Sequence, residues 1–281
     1  MATILRSLLF TPANRVAAFE KALGAGADCV CLDLEDAVPP YAKSAARPDA
    51  LDFLVGDGAK GPIRGVRINA LSSAAGARDL AGLADAAPKG GLLMLPKVGS
   101  AAEIQLVASI LDEVGSDTGL IALVETAEGL SAVEDIARSS DRLRALMFGG
   151  IDLSAELGAE MNSDTMRAAR ARIVLAARAG GRDVLDVPEL DFRDAEKVHH
   201  AAQNAVANGF TGKAAIHPSN LATINAAFTP TTEEIARAQE IVAAFELAPS
   251  GLVVIGGKLI EAPVIKGMRK RIAIARAAGV L

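Results

Sequence analysis

Short apolar runs recur along the chain at residues 4–10 (ILRSLLF), 28–34 (DCVCLDL), 63–69 (IRGVRIN), 91–97 (GLLMLPK), 119–125 (GLIALVE), 143–149 (LRALMFG), 182–187 (RDVLDV) and 212–217 (GKAAIH). They lack the strict alternation of a half-exposed strand. Strands of a parallel sheet, covered on both faces, have this near-continuous pattern. Helical patterns lie between them. Residues 14–26 (NRVAAFEKALGAG) space Val16, Phe19 and Leu23 for one face, with Gly24 and Gly26 as stop signals. Residues 100–115 open with Ser100 and Glu103 at capping-box spacing, which satisfies free N–H groups at a helix start. Residues 163–180 put arginines and apolar residues on opposite faces.

Eight strand-like runs joined mostly by helices predict an α/β fold, a (β/α)8 TIM barrel with a C-terminal helical appendage, over an open doubly wound sheet. No G-x-G-x-x-G follows a strand and no Walker A motif is present, which lowers the nucleotide-binding alternatives. The expected division is a catalytic barrel over residues 1–228 and an appendage over 229–281. Thr231 and Glu234 repeat the capping-box spacing at the start of the appendage. A helix, a Gly-rich hairpin or loop and a second helix then follow. Such a unit is expected to cover a barrel mouth or reach a neighbouring subunit.

Composition narrows the class. Of 281 residues, 51% are hydrophobic but only 3% aromatic, so Ala, Gly, Val and Leu build a closely packed core. The net charge of −5 argues against nucleic acid as a partner, since phosphate binding needs a basic face. The first residues, MATILRSLLFTP, lack the apolar region and cleavage site of a signal peptide. No apolar run approaches the ~18 residues of a membrane helix. A cytoplasmic enzyme without a membrane partner is the expectation. Cys29 and Cys31, two apart on one strand, point to one face and are expected as small core residues.

Chemistry in such a barrel gathers at the C-terminal ends of its strands. There the sequence puts Asp33 at the end of the second run with Glu35 and Asp36 just beyond, Arg67 and Asn69 in the third, and Lys97 in the fourth. Glu125 ends the fifth run, Asp152 follows the sixth, Asp186 lies in the seventh and His217 ends the eighth. Wet strand ends explain some of this polarity, but not so many carboxylates beside so few cations. Gathered carboxylates repel unless a cation sits among them. Glu125 and Asp152 are the best direct metal ligands, because they lie on neighbouring strands and Gly149 and Gly150 allow close approach. Oxygen-only ligation favours Mg2+, with Mn2+ possible, over zinc. Glu35 and Asp36 are then expected to hold metal-bound waters.

The motifs RSLLFTPANR, CLDLEDAVPPYAKSAAR, RIN, LPKV, VETAEG, FGGIDL and GFTGKAAIHPSN occur in this order. In them the chain resembles the citrate lyase β-subunit-like branch of the HpcH/HpaI aldolase superfamily, with the malyl-CoA and citramalyl-CoA lyases. The resemblance spans the whole barrel. It implies a TIM barrel, a Mg2+ site at Glu125 and Asp152, and a homo-oligomer, often a trimer or hexamer. It implies that Arg67 binds the carboxylate or oxo group of the substrate and acts in catalysis, with Glu125 also near the substrate. Phe10, Arg15, Ala215, Ile216 and His217 lie where the family holds coenzyme A. An acid in a G-K-x-x-D-x-P-V segment reaches the neighbouring subunit's site in the family's CoA lyases. Here that segment reads GGKLIEAPVI, so Glu261 stands where the family has Asp. The extra methylene moves the carboxylate by about 1 Å, a displacement that matters for positioned chemistry.

The implied reaction is cleavage of a 3-hydroxyacyl-CoA dicarboxylic thioester to an acyl-CoA and a 2-oxo acid. Alternatives are a malyl-CoA thioesterase and a citrate lyase β subunit acting on a thioester held by an acyl carrier protein. Lys97 raises a rival, a Schiff base, against its simpler reading as a cation balancing the acids of LDLED. His217, beside Pro218, is expected to be structural or a CoA contact rather than an acid/base group. His199 and His200 are expected on a solvated helix face. Lys213 is expected to pair with an acid, and the basic segment KGMRKR to be an exposed helix face.

Overall fold

The computed structural model describes residues 4–56, 61–247, 253–255 and 258–281. Met1–Thr3, at the start of the N-terminal segment, lie outside the described residues, as do Gly256 and Gly257 of the expected hairpin. The chain forms two compact units, Leu5–Ile224 in one, and Met1–Ile4 with Asn225–Leu281 in the other.

In the larger unit eight parallel strands close into a barrel. They are β1 (Ser7–Pro12), β2 (Cys29–Asp33), β3 (Ile63–Arg67), β4 (Leu92–Leu95), β5 (Gly119–Val124), β6 (Leu143–Phe148), β7 (Asp183–Asp186) and β8 (Gly212–Ala215). Each of the eight apolar runs supplies one strand, and β8 pairs back onto β1 through Ala215 and Leu9. Helices connect successive strands, as a TIM barrel requires. Alternate residues face inward, because side chains along a strand point to opposite faces. The inward set includes Leu8, Cys29, Cys31, Met94, Ile121 and Met147, all buried in one cluster. The opposite set, such as Leu9, Val30, Leu93 and Leu146, is equally buried. Both faces are covered, so the strands carry no polar alternation. Cys29 and Cys31 are buried core thiols, and burial, the main cause, pushes both pKa values far up, which keeps them protonated.

The capping signals act locally. Glu103 Oε2 accepts the N–H groups of Gly99 and Ser100 at 2.6 and 3.0 Å at the start of the helix Ala101–Glu113. The first helical segment differs from the expectation. It is a 3-10 turn, Val16–Ala18, followed by a short helix, Phe19–Leu23. The helix starts one turn later than the apolar spacing suggests, so Phe19 is buried while Val16 is exposed.

The smaller unit has the helices Thr232–Glu246 and Ala262–Ala277 with an antiparallel pair between them, β9 (Val253–Ile255) and β10 (Lys258–Ile260). Thr231 and Glu234 cap the first helix reciprocally at 3.2 and 2.9 Å. Ile241, Ile260 and Ile265 form its core. The basic segment KGMRKR lies on the second helix, with Lys266, Arg269 and Lys270 exposed. Among the described residues, no helix is long and apolar enough to cross a membrane.

Candidate active site

The inward parity of the strands delivers the site. Along β2 the row Cys29, Cys31 continues to Asp33, and along β3 the row Ile63, Gly65 continues to Arg67. Past the end of β5 the row Ile121, Leu123 continues to Glu125. The same two-residue step that fills the core therefore sets a guanidinium and carboxylates on top of it. They line one cavity of about 350 Å³ whose apolar surface includes Phe10, Leu123, Met147 and Ile151.

Asp33 and Arg67 are register partners on adjacent strands. Arg67 Nε and Nη2 donate to the two carboxylate oxygens of Asp33 at 2.7 and 2.6 Å, a bidentate contact. Asp33 also accepts the backbone N–H groups of Glu35 and Ala37, so it fixes the loop that follows β2. Arg67 Nη1 lies 3.0 Å from Glu35 and 3.4 Å from Asp36, and its guanidinium stands over the Phe10 ring at 5.1 Å. Burial works against this charge, but the hydrogen bonds and charges of the surrounding carboxylates outweigh it and hold the pKa above its ordinary value. Glu35 is buried, and burial is the main cause that raises its pKa. Its Oε2 is a buried oxygen without a hydrogen-bond partner, since the Arg67 contact is one of charge and not of alignment.

Lys97 follows β4 with φ +51°, a conformation uncommon for residues other than glycine. The turn aims its backbone N–H at Glu125 Oε1, 2.9 Å away, and its ammonium at Glu35 (2.9 Å) and Asp152 (3.3 Å). Burial disfavours that ammonium, but the Glu35 hydrogen bond and neighbouring carboxylates hold its pKa above the usual lysine value. The charged, non-nucleophilic form is therefore held in place, which is the charge-balancing arrangement rather than one suited to a Schiff base. Glu125 is pushed up to about 8, by burial first and then by Glu35 and Asp152.

The donor set suits a small, hard dication. Among the described residues, no group of three or more His, Cys, Asp or Glu side chains forms a protein-only metal cage. Mg2+ needs none, since it usually takes one or two carboxylates and keeps waters. Glu125 and Asp152 are two carboxylates on the cavity that could serve as that pair, and Glu35 Oε2, which has no hydrogen-bond partner, could accept from a water held beside them. A Cβ at Gly149 would lie 2.3 Å from Glu125 Cβ and 2.8 Å from its Oε2, so glycine is what leaves the carboxylate room. Asp152 sits in the first turn of the helix Gly150–Leu157.

Other residues fall elsewhere. Asp186 and Lys213 have the outward parity of β7 and β8. Lys213 donates to Asp186 and to the Val187 carbonyl at 3.0 and 2.6 Å, and Arg170 holds the same carboxylate from the helix Asp164–Ala179. Asp186 therefore belongs to a buried ion cluster under the helices and not to the acid rim. Asn69 is buried too, accepting from Lys43 and donating to Asp79 at 2.6 Å. Phe10 and Ile216 line the cavity, while Ala215 is buried and Arg15 is exposed. His217 is exposed, accepts the Ser219 N–H and stacks on Phe192 at 5.1 Å. His199 and His200 are exposed on a helix, as their polar surroundings predict. Glu261 lies in the smaller unit, exposed, just before the helix Ala262–Ala277. Sequence reasoning missed Val187, Pro188 and Leu190, which line the cavity from the loop after β7. Their signal, an apolar stretch continuing past a strand end, is weak.

A parallel eight-stranded barrel with acids, a clamped arginine and an apolar cavity at the C-terminal ends of its strands has the architecture of a TIM-barrel enzyme. The profile of the HpcH/HpaI aldolase/citrate lyase family matches residues 6–218, and the chain belongs to that family. It is 36% identical over 277 residues to a (3S)-malyl-CoA thioesterase of Cereibacter sphaeroides, covering 97% of this chain and 95% of that protein. It is 33% identical over 290 residues to an L-malyl-CoA/β-methylmalyl-CoA lyase of the same organism, covering 93% and 91%. Among solved structures, CitE from Mycobacterium tuberculosis, in complex with magnesium, acetoacetate and coenzyme A, superposes with a TM-score of 0.80 at 36% identity, covering 99% of each chain.

Proposed function

We propose that the protein is a magnesium-dependent carbon–carbon lyase. Its substrate is a 3-hydroxyacyl-CoA with a carboxylate beside the hydroxyl, of the malyl-CoA or citramalyl-CoA type. Its products are an acyl-CoA and a 2-oxo acid. The observation that carries this reading is the convergence of Arg67, Glu125 and Asp152 on one apolar-floored cavity. The lyase relative and the magnesium and coenzyme A bound by CitE support it.

Magnesium, when bound by Glu125 and Asp152, supplies Lewis-acid polarisation of the substrate oxygens. The chain's own residues do the rest. Arg67, fixed by Asp33, faces the cavity as a permanent cation that offsets charge on the substrate carboxylate or the developing enolate. Leu123 and Met147, both buried, give the breaking bond an apolar floor. The hydroxyl proton passes to a base as the carbon–carbon bond breaks. Its electron pair stays with the acyl-CoA fragment as an enolate. A proton delivered to that carbon, by Glu261 of a neighbouring subunit in a homo-oligomer, completes the acyl-CoA. Phe10 and Ile216, which line the cavity, would take the coenzyme A chain.

Hydrolysis of the thioester is the second reading, favoured by the 36% identity to the thioesterase. A panel of hydroxyacyl-CoA thioesters with magnesium separates the two. The expected result is release of a 2-oxo acid with the thioester intact. Free thiol with intact hydroxy acid would replace the lyase reading by the hydrolase one. Loss of neither bond across the panel would sink both.

A further inference from the structure

The ammonium of Lys97 touches two of the carboxylates that frame the proposed metal site. Its contact with Glu35 is 2.9 Å and hydrogen-bonded, on the buried side of the cluster, where that carboxylate is 7% exposed. Its contact with Asp152 is 3.3 Å, between side chains that are each 38% exposed. The lysine thus has a tight inner partner and a looser outer one. Its own amide N–H anchors Glu125, and its left-handed φ of +51° sets both directions at once. A positive charge already stands among acids that would otherwise repel each other.

We propose that Lys97 is the resident counter-ion of the metal site. It holds Glu35 and Asp152 together in the metal-free protein and gives up Asp152, while keeping Glu35, when a divalent cation binds. This rests on the assignment of Glu125 and Asp152 as the metal pair. Two like charges within this cluster cost more than one, so the ammonium weakens metal binding while protecting the empty site from carboxylate repulsion. Lys97 is then a residue that tunes metal affinity.

The experiment is magnesium titration by calorimetry, without CoA ligands, on the full chain and on Lys97→Met and Lys97→Arg. Lys97→Met is expected to bind magnesium at least about tenfold more tightly, since a unit charge within a few Å of a dication repels it by more than that factor even when partial exposure lets solvent screen it. Lys97→Arg is expected to stay within about twofold of the parent, since it keeps the charge. Metal-free Lys97→Met is expected to melt lower than the parent and to gain more from magnesium. In the unaltered protein, amine-reactive labelling of Lys97, read by mass spectrometry, is expected to rise at saturating magnesium. Equal or weaker binding by Lys97→Met, or labelling that magnesium leaves unchanged, overturns the proposal, and the labelling decides if the variant fails to fold. Absence of any magnesium binding by the unaltered protein overturns the metal-site assignment with it. Binding that Lys97→Met leaves unaltered overturns the counter-ion role alone.

Discussion

Asp33 and Arg67 face each other across β2 and β3, and both oxygens of the one take two nitrogens of the other at 2.7 and 2.6 Å. The pair is buried, with side chains 3% and 11% exposed. Asp33→Asn removes the charge and mismatches one N–H of the fork. Breaking a buried ion pair from one side typically costs about 3–5 kcal/mol, and the remaining contacts to Glu35 and Asp36 put the expected loss at the low end. A freed guanidinium also loses its aim, so kcat/KM is expected to fall about 100-fold. Thermal melts and initial rates on Asp33→Asn check both. Unchanged kcat/KM in a folded variant would show that Arg67 needs no clamp.

Glu125 gives the metal-free protein a pH dependence of definite sign. Its folded pKa of about 8 lies above the ordinary 4.5, so the folded protein keeps a proton that the unfolded chain releases. The linked stability is fully present below about 4.5, shrinks as pH rises, and is gone above about 8. Glu125→Gln mimics the protonated acid at every pH. With a chelator present, the variant is expected to match the parent at low pH and to melt higher near pH 8. Added magnesium should raise the parent's melting temperature and leave the variant nearly unmoved. A constant gap across that pH range would mean that Glu125 is not the buried, repelled carboxylate of this site.

The barrel was legible because every strand is apolar on both faces, a pattern that short helices do not share. The site was legible in part, and strand parity marks the boundary. Arg67 and Glu125 continue inward rows and do reach the cavity, as does Asp33. Asp186 ends its strand with the same polarity but the opposite parity, so it faces Arg170 instead. Parity also fails at Lys97, where the positive φ turns an outward position back toward the acids. No residue type announces that turn, since a lysine is an unusual choice for it. The loop carrying Val187, Pro188 and Leu190 has no periodicity to read. Glu261 is marked by its motif alone, since it is exposed in the smaller unit just before the helix Ala262–Ala277 and belongs to no barrel strand whose parity could aim it.

The outward ion cluster separates stability from chemistry. Lys213 is 2% exposed and its ammonium rests on Asp186 and the Val187 carbonyl. Asp186→Asn leaves Lys213 and Arg170 without their shared carboxylate. The expected loss is about 3–5 kcal/mol of stability, the usual result of orphaning a buried charge. Magnesium affinity should hold, because none of the three residues lines the cavity. Denaturant unfolding and magnesium calorimetry at a temperature where the variant is folded make the comparison. A large drop in metal affinity without loss of stability would place Asp186 back on the acid rim.

Glu261 tests whether the site is completed across subunits. It precedes the helix Ala262–Ala277, its carbonyl accepts the Val264 and Ile265 N–H groups at 3.0 and 3.2 Å, and its side chain makes no capping hydrogen bond. The backbone therefore does the capping and the carboxylate is left for other work. As a proton donor to the enolate it should carry about 100- to 10,000-fold of the rate. Glu261→Gln is expected to lose kcat in that range while KM and magnesium affinity stay close to the parent's. Glu261→Asp, which restores the residue of the family motif, should keep most of the activity. The decisive measurement mixes two inactive proteins, Glu261→Gln and Glu125→Gln, under conditions of subunit exchange. If the acid acts on a neighbour's site, some mixed sites contain intact Glu125 and intact Glu261 together, and activity returns. If exchange is demonstrated and activity does not return, Glu261 acts within its own chain or not at all, and the appendage serves assembly rather than catalysis.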